Sequence, residues 1–197
     1  MNISEPVRDR LLRLVRMGLD SGVARLAQIS GAVWQVGEVS IREGGADELR
    51  PERAEGEPAH FGAIFQMPGG VFLVSFPEAS AGAVTQAFFR GFSKKTDTWK
   101  DKQSDAVAEI SNMVVNPVAN VLGDAALMII FLSSPQVERG GWAELGDKAF
   151  ERLVLREDRA VVRTDVALES PDLASSCRIT ILFNSALAGH FSEALAD

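Results

Sequence analysis

QSDAVAEISNMVVNPVANVLG, running from Gln103 to Gly123, is apolar at Ala106, Ile110, Met113, Val114, Val121 and Leu122. That three-and-four spacing predicts a helix over Lys102 to Gly123 with one buried stripe. The polar residues Asp105, Glu109, Asn112 and Asn116 fall four, three and four apart, which stacks them along the opposite face with a carboxylate beside an amide. Pro117 interrupts the pattern. Its ring removes the bond to the Met113 carbonyl and pushes Asn116 out of the α region, so the helix is expected to kink there, or to break and restart with Asn116 as cap.

Upstream, Val7, Leu11, Leu14, Val15, Gly18, Gly22, Leu26 and Ile29 give the same helical spacing over Pro6 to Ser30. Val33 to Ile41 reads as a strand and Glu43 to Ala59 as a solvated loop of Gly, Pro and charge. His60 to Met67 and Gly70 to Phe76 form a hairpin about Pro68-Gly69-Gly70, and Ala79 to Phe92 a short helix with Val84, Ala87, Phe88 and Phe92 inward. Ser93 to Lys102 is a polar connector whose Lys94, Lys95, Lys100 and Lys102 form a basic cluster. Downstream, Ala125 to Leu132 is a continuous apolar run read as a strand, then a Gly-rich loop passes Gly141 and Gly146. Strand candidates follow at Phe150 to Arg156, Ala160 to Leu168 and Cys177 to Phe183, with a last helix over Ala186 to Leu195. Each half reads as long helix, strands, short helix. The expected organisation is one domain over 1–197, with pseudo-repeats at 1–97 and 98–197.

Composition bounds the function. The chain has 197 residues, 46% hydrophobic and 24% charged, with twenty basic against twenty-seven acidic side chains and a net charge of −7. An acidic surface of this kind makes nucleic acid and anionic membrane poor partners. No apolar run reaches the roughly 18 residues that span a bilayer. The N-terminus MNISEPVRDRLL carries Asp and Glu where a signal peptide would be basic and then apolar, so the chain reads as cytoplasmic. Cys177 is the only cysteine, and His60 and His190 stand alone in sequence, which leaves no internal disulfide and no metal-ligand spacing. Pro68-Gly69-Gly70 is a turn rather than a phosphate loop, since a strand without a suitably placed lysine follows it. Trp34, Trp99 and Trp142 are scattered over a strand and two loops and read as packing residues.

Asp105, three residues, Glu109, two residues, Asn112, twenty-two residues and Pro135 together reproduce the signature of the CheC, CheX and FliY family of chemotaxis phosphatases, which this sequence resembles. MNISEPVRDRLLRLVRMGLDSGVARL is similar to the first helix of CheC, including the Ile-Ser-Glu opening and Gly18. The likeness covers most of the chain and is weakest after Gly140. It implies an α+β fold: two pseudo-repeats of long helix plus strands sharing a central, largely antiparallel sheet, with the long helices side by side on one face. It also implies dephosphorylation of the phospho-aspartate of a CheY-type response regulator. Glu109 would pair with the regulator's lysine, and the Asn112 amide would hold the attacking water in line. The divalent metal, magnesium, would be the regulator's, and this chain would need no cofactor of its own.

Asp105 occupies the family's Asp-or-Ser position and Pro135 reads as structural, ending sheet pairing after Ser133-Ser134. CheC carries a second Glu-x-x-Asn pair on its first helix. Laying that helix on this one puts Arg13 and Arg16 at the two positions, and a guanidinium offers donors only, so this first site is expected to be degenerate. Asp9 with Arg13 and Arg16 with Asp20 are spaced for intrahelical ion pairs. The family usually has glycine where this chain has Asn116. The resemblance leaves other readings open: a catalytically silent adaptor that binds a receiver domain or a CheD-type deamidase, a flagellar switch component, or a scaffold module keeping only the fold. One-site relatives of the CheX type pair as dimers, which makes a homodimer an implied assembly.

Overall fold

The computed structural model describes residues 3–92 and 102–196. The elements follow as α1 (Glu5–Ser30), β1 (Gln35–Gly45), β2 (His60–Met67), β3 (Gly70–Pro77), α2 (Glu78–Phe92), α3 (Gln103–Ala125), β4 (Gln136–Gly140), α4 (Trp142–Arg152), β5 (Ala160–Ser170), β6 (Ser175–Asn184) and α5 (Ser185–Ala194). The strands form one six-stranded sheet in the order β1-β5-β6-β3-β2-β4, and every neighbouring pair is antiparallel. Exchanging β1 with β4, β2 with β5 and β3 with β6 returns the same order reversed. Residues 97 and 98, where the sequence divides, lie outside the described residues, as do Lys94, Lys95, Lys100, Trp99 and the side chain of Phe92.

The hairpin forms as its sequence predicts, with Gly69 at φ +76° supplying the positive dihedral that the β2–β3 turn requires. One sheet face buries Phe65, Phe72, Phe76, Ile181 and Phe183 against α1, α3 and α5. The other face buries Ile64, Val71, Leu73 and Leu182 against Trp142, Leu145, Ala149 and Phe150 of α4. Apolar residues therefore point both ways from β3 and β6, which explains why these strands read as continuous apolar runs.

α1 and α3 lie antiparallel and in backbone contact. A methyl group on Gly18 would stand 2.5 Å from the Val118 Cα, and one on Gly22 would stand 2.9 Å from the Val114 Cα and 3.2 Å from the Met113 carbonyl oxygen. Met113 is the residue whose carbonyl loses its intrahelical donor to Pro117, and the oxygen left over faces the place a Gly22 side chain would fill. This corrects the expected break: α3 runs through Pro117 to Ala125, and Pro117 is buried in the contact with α1.

Further expectations are corrected. The run after α3 is not a strand: Ala125 closes α3, and residues 128–132 join no ladder. Sheet pairing begins at Gln136, after Pro135 rather than before it, as suits a proline at the start of an edge strand. Leu127, at φ +52°, ends the helix, while Met128 N–H donates to the Gly123 carbonyl at 2.9 Å. Phe150 to Arg156 is not a strand either; Trp142, Leu145, Ala149 and Phe150 have helical spacing and Glu144 pairs with Lys148 at 2.9 Å, which forms α4 in place of the expected loop. The loop after β1 is anchored, because Ala46 and Leu49 are buried and Arg50 pairs with Asp147 at 2.9 Å. The pairs Asp9–Arg13 and Arg16–Asp20 do not form. Arg16 Nη2 instead donates to the Gly37 carbonyl at 3.2 Å, and Arg8 pairs with Glu43 at 2.7 Å.

Candidate functional site

α3 turns Ala106, Ile110, Val114 and Val118 into the core. That orientation leaves Asp105, Glu109, Asn116 and Asn120 exposed and Asn112 half-buried. At 100° per residue, Asp105, Glu109, Asn112 and Asn116 lie within about 60° of one another around the axis. The structure thus brings the predicted acid and amide onto one continuous helical face. Among the described residues neither Glu109 nor Asn112 has a hydrogen-bond or ion-pair partner, so the carboxylate and both amide groups are open to an incoming molecule. Their position is set by backbone contact with α1 rather than by polar neighbours. Chemically, the pair can accept a cation at Glu109 and offer both a donor and an acceptor at Asn112. Neither atom set resembles a metal cage, and among the described residues no group of three His, Cys, Asp or Glu side chains could hold a metal ion.

Arg13 and Arg16 are both exposed on α1. The displacement along the chain that carries Arg13 onto Glu109 also carries Gly18 onto Val114 and Gly22 onto Val118, the residues at which the two helices touch. Because the helices are antiparallel, the arginines project near one end of the pair and Glu109 and Asn112 near the other. Pro135, half-buried, connects the chain leaving α3 to edge strand β4.

The other titratable groups are placed differently. Burial pulls the His60 imidazole below its ordinary value, with Arg178 adding to the effect and Glu57 opposing it, and its Nδ1 lies 2.8 Å from Ser75 Oγ. Burial pushes the Cys177 thiol up to about 12, so it is not a nucleophile. A charged group absent from the sequence reading stands on the α4 side of the sheet: Arg42, Arg163, Asp165 and Arg178. Its signal was the alternation of Arg163 and Asp165 with buried Val162 and Thr164 along β5.

No protein-family model matches the sequence, and no curated protein matches it. Solved structures do match. FliY of Thermotoga maritima aligns over 100% of this chain and 98% of its own, with a TM-score of 0.74 and 14% identity. The FliM middle domain of H. pylori aligns over 98% and 99%, with a TM-score of 0.61 and 10% identity. The chemotaxis protein CheX of Desulfovibrio desulfuricans aligns over 86% and 97%, with a TM-score of 0.56 and 13% identity. No helix of the described residues is long and apolar enough to cross a membrane. The antiparallel six-stranded sheet, with its paired long helices, is the fold that this chain has in common with FliY, CheX and the FliM middle domain.

Proposed function

We propose that this protein is a phosphatase for the phospho-aspartate of a CheY-type response regulator, with Glu109 and Asn112 as its working residues. The observation that carries the reading is the continuous face of α3, on which the family's Asp105, Glu109 and Asn112 stand together without partners among the described residues. Glu109 pairs with the regulator's lysine and fixes the helix against the phosphorylated aspartate. Asn112 accepts a hydrogen bond from a water molecule through its carbonyl or donates one through its amide, and so holds that water in line with the breaking P–O bond. It moves no proton. The gain is in positioning, since a held water no longer has to find its attack geometry from bulk. The metal that neutralises charge on the phosphoryl group belongs to the regulator, and Arg13 and Arg16 leave the other end of the helix pair without this chemistry.

A second reading has its own support. FliM middle domains have the same fold, and two of the matching FliM structures are complexes, with FliG and with SpeE. A silent binding module of that kind would hold a receiver or switch protein without turnover. Phosphate release from phosphorylated receiver domains separates the two readings. Asn112→Ala is expected to lower turnover about 100-fold or more with binding kept, and Glu109→Lys to weaken both. Equal release with wild type, both variants and no protein at all, alongside retained binding, favours the module.

A further inference from the structure

The sheet face opposite α1 and α3 is only partly covered, because α4 packs over β2, β3 and β4. Over β1, β5 and the start of β6 the face is covered only in part, by the anchored loop after β1, whose Leu49 carbonyl accepts from Arg163 Nη1 at 2.5 Å. Register places Arg42 opposite Arg163, Ser40 opposite Asp165 and Asp165 opposite Thr180, so these side chains share that face. Between them and Trp142 lies a cavity of about 310 Å³, with Glu38 and Arg178 on its walls.

The charges there do not balance. Asp165 accepts from Arg163 Nε at 2.7 Å, from Arg42 Nη2 at 2.9 Å and from Thr180 Oγ1 at 2.7 Å, so one carboxylate answers two guanidiniums. Arg178 is exposed, lies over the Trp142 ring at 5.5 Å and has no carboxylate partner among the described residues. Three guanidiniums therefore meet two carboxylates in one concavity, on a protein whose net charge is −7. Guanidinium groups only donate, and their fork fits the paired oxygens of a phosphate or carboxylate.

We propose that this cavity binds a small oxyanion of the phosphate or carboxylate class, held by Arg178 and the outer edge of Arg42 beside the Ser40 hydroxyl, with the Trp142 ring as one wall. It lies across the sheet from Glu109 and Asn112 and does not depend on the phosphatase reading. The size admits a small molecule and not a polymer.

Calorimetric titration at constant ionic strength, with inorganic phosphate in one arm and citrate in the other, tests it. Saturable one-to-one binding of either is expected, with a dissociation constant of about 1 mM or tighter. Phosphate alone identifies a phosphate ligand, citrate alone a carboxylate, and both the shared oxyanion chemistry. Arg178→Gln is expected to weaken binding about tenfold or more and Arg42→Gln by less. Arg178 makes no ion pair among the described residues and only its stacking on Trp142 is lost, so its replacement should lower the melting temperature by no more than a few degrees and decides the matter even if Arg42→Gln loosens the fold. No saturation by either anion below about 10 mM, or wild-type binding by Arg178→Gln, overturns the proposal.

Discussion

A glycine is chosen where a side chain has nowhere to go, and Gly22 meets that condition against another main chain. A Cβ there would press on Val114 Cα at 2.9 Å, and backbone cannot rotate aside as a side-chain end can. Gly22→Val is therefore expected to destabilise the protein by about 2 kcal/mol or more by forcing α1 away from α3. Urea unfolding followed by circular dichroism measures it. The outcome that would sink the contact argument is an unchanged or raised stability, since exchanging glycine for valine in an unconstrained helix gains a few tenths of a kcal/mol. At this scale the candidate face was legible because Asp105, Glu109 and Asn112 are neighbours on one helix, where sequence spacing is spatial spacing. Arg42, Arg163 and Arg178 come from three strands, and only the sheet register brings them together.

Elements were legible where period and composition agreed, as in α1, α3 and the β2–β3 hairpin. α4 was not, since Gly141 and Gly146 suggested a loop; Gly146 is there because Pro51 packs onto it, with a notional Cβ 2.3 Å from Pro51 Cγ. The proline in α3 misled for a related reason. Local preference says kink or break, while the buried stripe of α3 and the Gly22 contact keep the residues on either side of Pro117 in one helix. The end of α3 carries a testable strain. Leu127 is 94% exposed and sits at φ +52°, a region that costs an L residue roughly 1–2 kcal/mol. Leu127→Gly loses no burial and is expected to raise stability by about 0.5–1 kcal/mol, read as a higher urea midpoint with an unchanged slope. An unchanged or lower midpoint would show that the terminus is not strained.

For the whole molecule, the lowered His60 pKa predicts a loss of stability on acidification. The folded state holds His60 below its ordinary 6.5 because burial disfavours the imidazolium, whereas the unfolded chain takes up a proton at that value. The contribution of this group is thus full above pH 6.5 and is lost as the pH falls through the folded-state value. Carboxylates Asp165, Asp147 and Glu138 act lower. Burial opposes the charge of Asp165 and Asp147, but Arg163 and Arg50 prevail, and Lys148 holds Glu138 down, so their contributions persist until more acidic conditions. Unfolding midpoints measured from pH 8 to pH 5 should fall in wild type and stay level in His60→Gln, which keeps a polar group near Ser75. A decline of equal size in the variant would assign the sensitivity elsewhere.

The close seating of α1 on α3 has a consequence for any encounter at Glu109. A helix clamped main chain to main chain can neither slide nor roll without dislodging its neighbour, so it meets a visiting protein as an anvil rather than a hand. Whatever adaptation docking demands then falls on the visitor, and the ordering cost on this side has been met when the chain folds.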